Sequence, residues 1–228
     1  MLAQYKKGMD TKHKILQVSK KLFVDNGYVK TSCKMICEEA DVNLGLIHYH
    51  YKSKKNIASI IYAYFLVEVK ELVKRYMTEE LHNYELKYAT ALEHWIFYGL
   101  LLGDNRYKIF YYEICKENLL VDENTKILEY FYKLHVNTYN LNISANEIKL
   151  IRVSGAALNM GLIQKYVENY FDMTIDELSE YKIRNMYRLL KLKEDEIDDI
   201  VEVSNNIYNK INIKLLDYFE LSLDVNLT

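Results

Sequence analysis

The residues whose types and spacing best suit recognition of another molecule lie in one short stretch, residues 41–56, which reads DVNLGLIHYHYKSKKN. Gly45 lets a helix backbone approach a partner closely, and His48 carries ring nitrogens that can hydrogen-bond to a base edge. Tyr49 adds a side chain whose hydroxyl is long enough to reach a phosphate. Small, flat and polar groups in this order are typical of a helix that enters the major groove of DNA.

Cationic and hydroxyl groups flank residues 44–49 on both sides. Lys52 and Lys54 stand at the start of the following helix, where backbone amides and the helix dipole also favour an anion. Leu44 is suited to contact with a thymine methyl group. The predicted DNA contacts are Thr31, Ser32, Lys34, Asn43, Leu44, Gly45, His48, Tyr49, Lys52 and Lys54.

The elements that must position these residues are three short helices and the start of a fourth. Apolar residues at helical spacing predict a first helix that is capped by Asp10 or Thr11 and ends at Asn26-Gly27. The hydroxyls of Thr31-Ser32 cap a second helix, which ends near Ala40. Asn43 caps a short third helix, and Ser53 caps a fourth that runs to about residue 77. The second and third helices form a predicted helix-turn-helix.

Composition favours an all-α fold for the whole chain of 228 residues, since it has no proline and seven glycines. Further helices are predicted over about 81–102, 105–118, 123–141, 145–171, 174–191 and 194–219, two of them opened by the capping boxes Ser144–Glu147 and Thr174–Glu177. We predict a helix-turn-helix DNA-binding domain over 1–56 and a helical effector-binding and dimerisation domain over 57–228.

The net charge of the sequence changes sign at the same boundary. Residues 1–56 hold eleven lysines and five acidic residues, a net charge of +6, and the remainder has a net charge of −8. This asymmetry favours a nucleic-acid partner for the N-terminal part, although solvated lysines on helix surfaces would produce the same pattern.

Three cysteines in no disulfide-framework spacing fit a reducing cytoplasm. Cys33 and Cys37 lie one helical turn apart, but we interpret them as small core residues and predict no metal and no other cofactor. The N-terminus lacks the apolar run of a signal peptide, and no apolar stretch reaches the ~20 residues that span a bilayer. We therefore expect a cytoplasmic protein with no membrane contact.

The stretch from Thr11 to Ile57 resembles the N-terminal domain of the tetracycline-repressor (TetR) family of bacterial transcription regulators. The resemblance rests on the order and spacing of Gly27-Tyr28, Thr31-Ser32, Ile36, Ala40, Val42, Gly45, Tyr49-His50-Tyr51 and Lys52-Ser53-Lys54. It implies an all-helical homodimer with a three-helix DNA-binding domain and a divergent C-terminal domain that binds a small molecule. By position it implies DNA contacts at Lys34, Leu44, Gly45, His48, Tyr49 and Lys54.

A homodimer also follows from the geometry of two DNA half-sites about 34–36 Å apart. Residues 145–171 and 194–219 are the best candidates for its helical interface. The predicted interface residues are Ser154, Ala157, Gly161, Ile207, Ile211 and Leu215. The alternative is that this face packs inside its own subunit, and the resemblance favours the dimer.

An effector pocket is expected between the central helices, where side chains with apolar faces and polar tips occur together. The predicted pocket residues are Trp95, Tyr98, Phe110, Tyr111, His135, Tyr139 and Asn159. The alternative is that this aromatic stripe belongs to the core.

The function predicted from the sequence is a sequence-specific transcriptional regulator, a repressor that an unknown small molecule releases from its DNA operator. The alternative is an effector-independent, chromosome-organising DNA-binding factor of the same fold, which a sealed C-terminal core would favour. An enzyme is not predicted, because the sequence has no visible nucleophile–base set, metal motif or glycine-rich phosphate loop.

Overall fold

The computed structural model describes residues 2–122 and 125–224 and is built almost entirely of helices, as predicted. In chain order the helices are α1 (Leu2–Asn26), α2 (Cys33–Ala40), α3 (Leu44–Tyr51), α4 (Lys54–Glu79), α5 (Leu86–Gly103), α6 (Asn105–Lys116), α7 (Leu119–Asp122), α8 (Thr125–Thr138), α9 (Ala145–Val167), α10 (Ile175–Leu189) and α11 (Glu194–Tyr208). A short β-hairpin, β1 (Asn212–Leu215) and β2 (Leu221–Asp224), follows α11.

Helices α1 to α3 form the head of the molecule, the name used below for residues 8–53. Ile15, Phe23, Ile36 and Ile47 are fully buried where these helices meet. The prediction that α1 begins at Asp10 or Thr11 was wrong, because the helix already starts at Leu2. No proline precedes Asp10, so nothing in the backbone chemistry stops the helix from extending to the N-terminal side.

The rest of the chain forms the body, in which α5 is the central helix. Helices α4, α6, α10 and α11 all pack along α5, and α9 packs against α6 and α8. The head shares its core with the body, since the rings of Phe23 in α1 and Phe110 in α6 stack with centroids 5.9 Å apart. A shift of α6 would therefore directly alter its packing against the head.

Local sequence rules predict several helix ends correctly. Both capping boxes form, with Ser144 and Thr174 each accepting a hydrogen bond from the N–H of the glutamate three residues on. Helix α7 was not predicted, and the predicted start of the following helix at 123 lies outside the described residues.

The C-terminal segment differs from its prediction. The last helix ends at Tyr208 instead of about residue 219, and the chain then forms the antiparallel hairpin in which Ile213 pairs with Leu223. A 3₁₀ turn between the strands buries Phe219 against Phe65 of α4 and Tyr107 and Phe110 of α6. The apolar residues alternate from Ile211 onwards, which is the period of a strand.

In the part of the chain that the structure describes, no helix combines the length and apolarity needed to cross a membrane. Across the same residues, no three His, Cys, Asp or Glu side chains are grouped closely enough to hold a metal ion. Cys33 and Cys37 are half-buried and pack against the core.

Candidate DNA interface and ligand cavity

Side-chain caps fix the ends of the helices in the head. Ser32, Asn43 and Ser53 each accept a hydrogen bond from the backbone N–H three residues on, at 3.2, 3.1 and 3.1 Å, and so open α2, α3 and α4. These three caps confirm the predicted helix starts.

Helix α3 presents one face to the core and the other to solvent. Ile47 and Tyr51 are buried, and the Tyr51 hydroxyl donates a hydrogen bond to the Lys12 carbonyl at 2.8 Å, which ties α3 to α1. Burial raises the pKa of Tyr51 to about 12, so this hydroxyl stays protonated and keeps donating. The opposite face exposes Leu44, Gly45, His48 and Tyr49, and Tyr49 is 80% exposed.

Lys52 lies in a strained turn that links α3 to α4. Its φ of 64° and ψ of −45°, with a 2.7 Å hydrogen bond from the Ser53 N–H to the Tyr51 carbonyl, are the geometry of a γ-turn. The Lys52 carbonyl also lies 2.8 Å from Nδ1 of His48, and because a carbonyl only accepts, Nδ1 carries the proton. In the neutral ring this leaves Nε2 of His48 as an acceptor, suited to a base amino group.

The structure corrects two of the predicted DNA contacts, Thr31 and Lys54. The Thr31 hydroxyl is buried and lies 2.8 and 3.0 Å from the carbonyl oxygens of Gly27 and Leu22. Lys54 turns inward as well. Its Nζ donates to the carbonyl oxygens of Tyr28 and Thr31, both at 2.8 Å, and lies 4.1 Å from the Tyr28 ring centroid. Burial lowers the pKa of Lys54, and both side chains hold the head together instead of facing DNA.

The other predicted contacts are all exposed, and we call this set of residues the α3 face. It consists of Ser32, Lys34, Asn43, Leu44, Gly45, His48, Tyr49 and Lys52. Lys34 makes only a long, exposed ion pair with Glu38, at 3.7 Å, so its charge remains accessible. Contact of these residues with DNA stays a prediction.

A cavity of about 130 Å³ lies in the body between α4, α5, α6, α8, α9 and α10. Three of the predicted pocket residues line it and are hydrogen-bonded to one another. The Tyr98 hydroxyl donates to Oδ1 of Asn159 at 2.6 Å, and Nδ2 of Asn159 donates to the Tyr111 hydroxyl at 2.9 Å. Burial raises the pKa of both tyrosines well above 10, so both stay neutral.

The other four predicted pocket residues, Trp95, Phe110, His135 and Tyr139, lie outside the cavity lining. Trp95 donates its indole N–H to Ser204 of α11 at 3.0 Å, and Phe110 packs on the head. 

His135 is buried in contact with Thr90, and desolvation lowers its pKa to about 4. Tyr139 accepts a hydrogen bond from the Lys87 N–H at 2.8 Å. None of the four lies in the described lining of the cavity, so the pocket prediction does not hold for them.

Charged residues of the cavity were not predicted from the sequence. Lys70 and Glu93 form an ion pair at its wall, and His94 and Lys182 also line it. Burial lowers the pKa of His94 well below 6.5, with the nearby Lys182 adding to the effect, so His94 is neutral at pH 7. A lysine on an amphipathic helix is normally solvated, so the sequence offered no signal that Lys182 is buried.

Helix α6 connects the cavity to the head. Tyr111 lines the cavity, and two residues further along α6 a carboxylate oxygen of Glu113 accepts a hydrogen bond from the Val29 N–H at 2.9 Å. The head approaches Glu113 closely through Gly27, whose φ of +84° ends α1; a Cβ there would lie 2.9 Å from the same carboxylate. One rigid helix thus contacts both the cavity and the loop before α2.

The exposed face of α9 carries three of the six predicted interface residues. Ser154, Ala157 and Gly161 are exposed, next to exposed Leu150 and Val153 on the same helix. Helix α8 packs beside α9 and adds Tyr130, which is 68% exposed, and Leu134.

The other three predicted interface residues lie elsewhere and are partly buried. Ile207 is at the end of α11, Ile211 follows the helix, and Leu215 lies in β1; all three pack against the core of their own subunit. The outward face of α11 is acidic, with exposed side chains at Glu194, Asp195, Asp198 and Glu202.

A capped helix-turn-helix, an exposed recognition face and a helical body are the features expected of a DNA-binding transcriptional regulator. Residues 15–61 match the family model described as "Bacterial regulatory proteins, tetR family". The HTH-type transcriptional regulator QacR of Staphylococcus aureus is 22% identical over 213 residues, which are 92% of this chain and 95% of QacR.

Among solved structures, RolR in complex with resorcinol superposes with a TM-score of 0.63 at 13% identity, covering 86% of this chain and 95% of RolR. RolR without ligand gives a TM-score of 0.58 at 11% identity, covering 83% and 96%. These two likenesses show a shared fold. Residues 15–61 therefore match the tetR family of bacterial regulatory proteins, and the chain as a whole is similar to QacR in sequence and to RolR in fold.

Proposed function

We propose that this protein is a repressor, and that a small molecule in the cavity releases it from its operator. The observation that carries the proposal is α6, which lines the cavity with Tyr111 and holds the head through Glu113 and Phe110. A ligand that favours a shifted α6 also favours a shifted head. In a dimer such a shift changes the spacing of the two α3 faces and lowers operator affinity.

The alternative, an effector-independent factor that organises chromosomes, predicts a sealed body. The cavity of about 130 Å³ argues against it, because a core without a ligand role is normally close-packed. The domain division after residue 56 is part of the same proposal. Helix α4 begins at Lys54 and continues unbroken to Glu79, so it belongs to both parts and transmits motion between them.

Operator binding is tested with DNA from upstream of the protein's own gene, measured across a salt series. We expect tight, saturable binding that weakens with salt and falls strongly in Tyr49→Ala. Lys52→Met and Lys54→Met form a matched pair. Losing one phosphate contact in Lys52→Met should lower the slope of log affinity against log salt by about 0.9, while Lys54→Met should keep the wild-type slope.

Lys54→Met is also expected to destabilise the head, because two buried carbonyl oxygens lose their donor. Its binding is therefore measured at a temperature where circular dichroism shows the variant folded. Equal slopes for Lys52→Met and wild type would remove Lys52 from the interface. Binding no tighter than to random DNA at every salt concentration would contradict sequence-specific recognition by the α3 face.

We propose that α8 and α9 form the homodimer interface, since large apolar side chains are exposed there beside small ones that allow close helix approach. Ala157→Arg should place a charge in this seam and give a monomer, detected as a halved mass in sedimentation. Asn206→Arg, on the acidic outward face of α11, is the control and should remain dimeric. A dimeric Ala157→Arg together with a monomeric Asn206→Arg would move the interface to α11.

A further inference from the structure

Lys182 is a buried cation that faces the cavity and has no partner among the described side chains. The side chain is only 4% exposed and lies on α10, where it lines the cavity. Among the side chains that the structure describes, those of residues 8–120 and 129–223, it has no hydrogen-bond partner and no ion-pair partner. Desolvation lowers the pKa of Lys182 to about 8, so the amino group still carries its charge at pH 7. A buried, unpaired charge is unfavourable, and an anion beside it would remove much of that penalty.

The other ionisable groups around the cavity do not neutralise Lys182. Glu93, the one carboxylate in the described lining, is already paired with Lys70, whose amino group also lies 4.8 Å from the Phe131 ring centroid. His94 is neutral, and its Nε2 lies 3.2 Å from Sδ of Met186. The lining therefore carries a net charge of about +1 at pH 7, contributed by Lys182.

The remaining walls are mostly apolar, with aromatic rings among aliphatic side chains, and they limit the size of the ligand. Tyr62 and Phe97 meet edge to face with centroids 5.5 Å apart, and Tyr62 and Tyr111 stack at 5.8 Å. An engineered apolar cavity of about 150 Å³ is known to bind benzene. The cavity here, at about 130 Å³, thus has room for about one aromatic ring.

We propose that the cavity binds a single-ring aromatic acid, with its ring among the aromatic walls and its anionic oxygen accepting a hydrogen bond from Nζ of Lys182. The inference rests on the proposed function, because it names the chemical class of the effector. It also selects against cationic ligands, which would meet Lys182 as a like charge. The charge on the ligand is the property that the lining recognises.

Three planar probes of nearly the same shape test this class by calorimetry on the full chain: benzoate, benzamide and benzamidinium, with charges of −1, 0 and +1. We expect benzoate to bind about 10-fold or more tightly than benzamide, and benzamidinium more weakly than either. In Lys182→Met, benzoate affinity should fall by about 10- to 100-fold, to the level of benzamide. Lys210→Met, at an exposed lysine, is the control and should bind benzoate like the wild type.

The wild-type series alone tests the charge preference, even if Lys182→Met does not fold. Equal or tighter binding of benzamidinium, no binding of any probe, or unchanged benzoate affinity in folded Lys182→Met would each overturn the inference. Adding benzoate to the operator complex separates the two proposals. Lys182-dependent benzoate binding without release of DNA supports the ligand class and contradicts effector release.

Discussion

Replacing Lys182 with methionine is expected to stabilise the folded protein by about 3 kcal/mol at pH 7, which would raise its melting temperature by roughly 10 °C. The folded lysine has a pKa of about 8, against 10.5 in the unfolded chain, because burial disfavours its charged form. At pH 7 Lys182 is protonated in both states, but the folded state binds this proton more weakly than the unfolded chain does. This difference lowers the free energy of unfolding of the wild type. Methionine has a similar length and an apolar body, so it fills the same space without that penalty.

The effect has a defined pH dependence. Below pH 8 both states of the wild type are protonated at Lys182, and the full penalty persists. Between pH 8 and 10.5 the folded lysine loses its proton before the unfolded one, so the wild-type free energy of unfolding rises relative to the variant. Guanidinium unfolding of both proteins at pH 7 and pH 10 measures this difference. His94 and the Lys70–Glu93 pair are present in both proteins, so their titration largely cancels.

Lys210→Met, in which an exposed lysine is replaced, should leave the unfolding free energy nearly unchanged. A destabilised Lys182→Met, or a stability difference that stays constant up to pH 10, would mean that the lysine is solvated or paired in solution. The expected gain would also show that Lys182 is retained at the expense of stability, as is common for residues that bind ligands.

The sequence predicted what depends on neighbouring residues in the chain. The caps Ser32, Asn43 and Ser53 and both capping boxes follow from local hydrogen-bonding chemistry, and each forms as predicted. The exposed face of α3 also follows locally, because Ile47 and Tyr51 define the buried side of a two-turn helix.

What the sequence did not predict depends on distant contacts. Lys54 stands where a phosphate-binding lysine is expected, but the carbonyl oxygens of Tyr28 and Thr31 lie within its reach only after folding. Lys182 resembles an ordinary surface lysine until α4, α5 and α9 enclose the cavity.

The C-terminal hairpin was missed because its apolar residues fit two periods. Ile207, Ile211 and Leu215 are four apart, as on a helix, whereas Ile211, Ile213 and Leu215 alternate, as on a strand. Whether this segment forms a helix or a hairpin depends on Phe219. Its ring reaches the core between α4 and α6 only if the helix ends and the chain turns back.

Removing the hydrogen-bond acceptor at Glu113 is expected to uncouple the cavity from the head. Glu113 accepts the hydrogen bond from Val29 at the loop before α2, and Tyr111 on the same helix lines the cavity. Coupling between two sites is reciprocal, so operator DNA that fixes the head must also bias the cavity, and this can be measured without knowing the effector.

Hydrogen exchange in α6 and α9, with and without operator DNA, reads out this coupling. In the wild type, operator DNA should change the exchange rates in these helices by about 5-fold or more, which corresponds to the lower end of typical coupling free energies. In Glu113→Ala the change should be less than about 2-fold. Glu113→Gln keeps an oxygen that can accept from the Val29 N–H and should behave like the wild type.

Glu113→Gln and Glu113→Ala both remove the negative charge near Lys54, but only Glu113→Ala also removes the hydrogen-bond acceptor. A difference between the two variants therefore reports the hydrogen bond and not the charge. If Glu113→Ala kept the full operator-dependent change, the signal would pass through the Phe23–Phe110 contact instead. Phe110→Leu would then lose the operator-dependent change in hydrogen exchange. If the wild type showed no change at all, the head and the cavity would be independent, and a ligand in the cavity could not release DNA through α6.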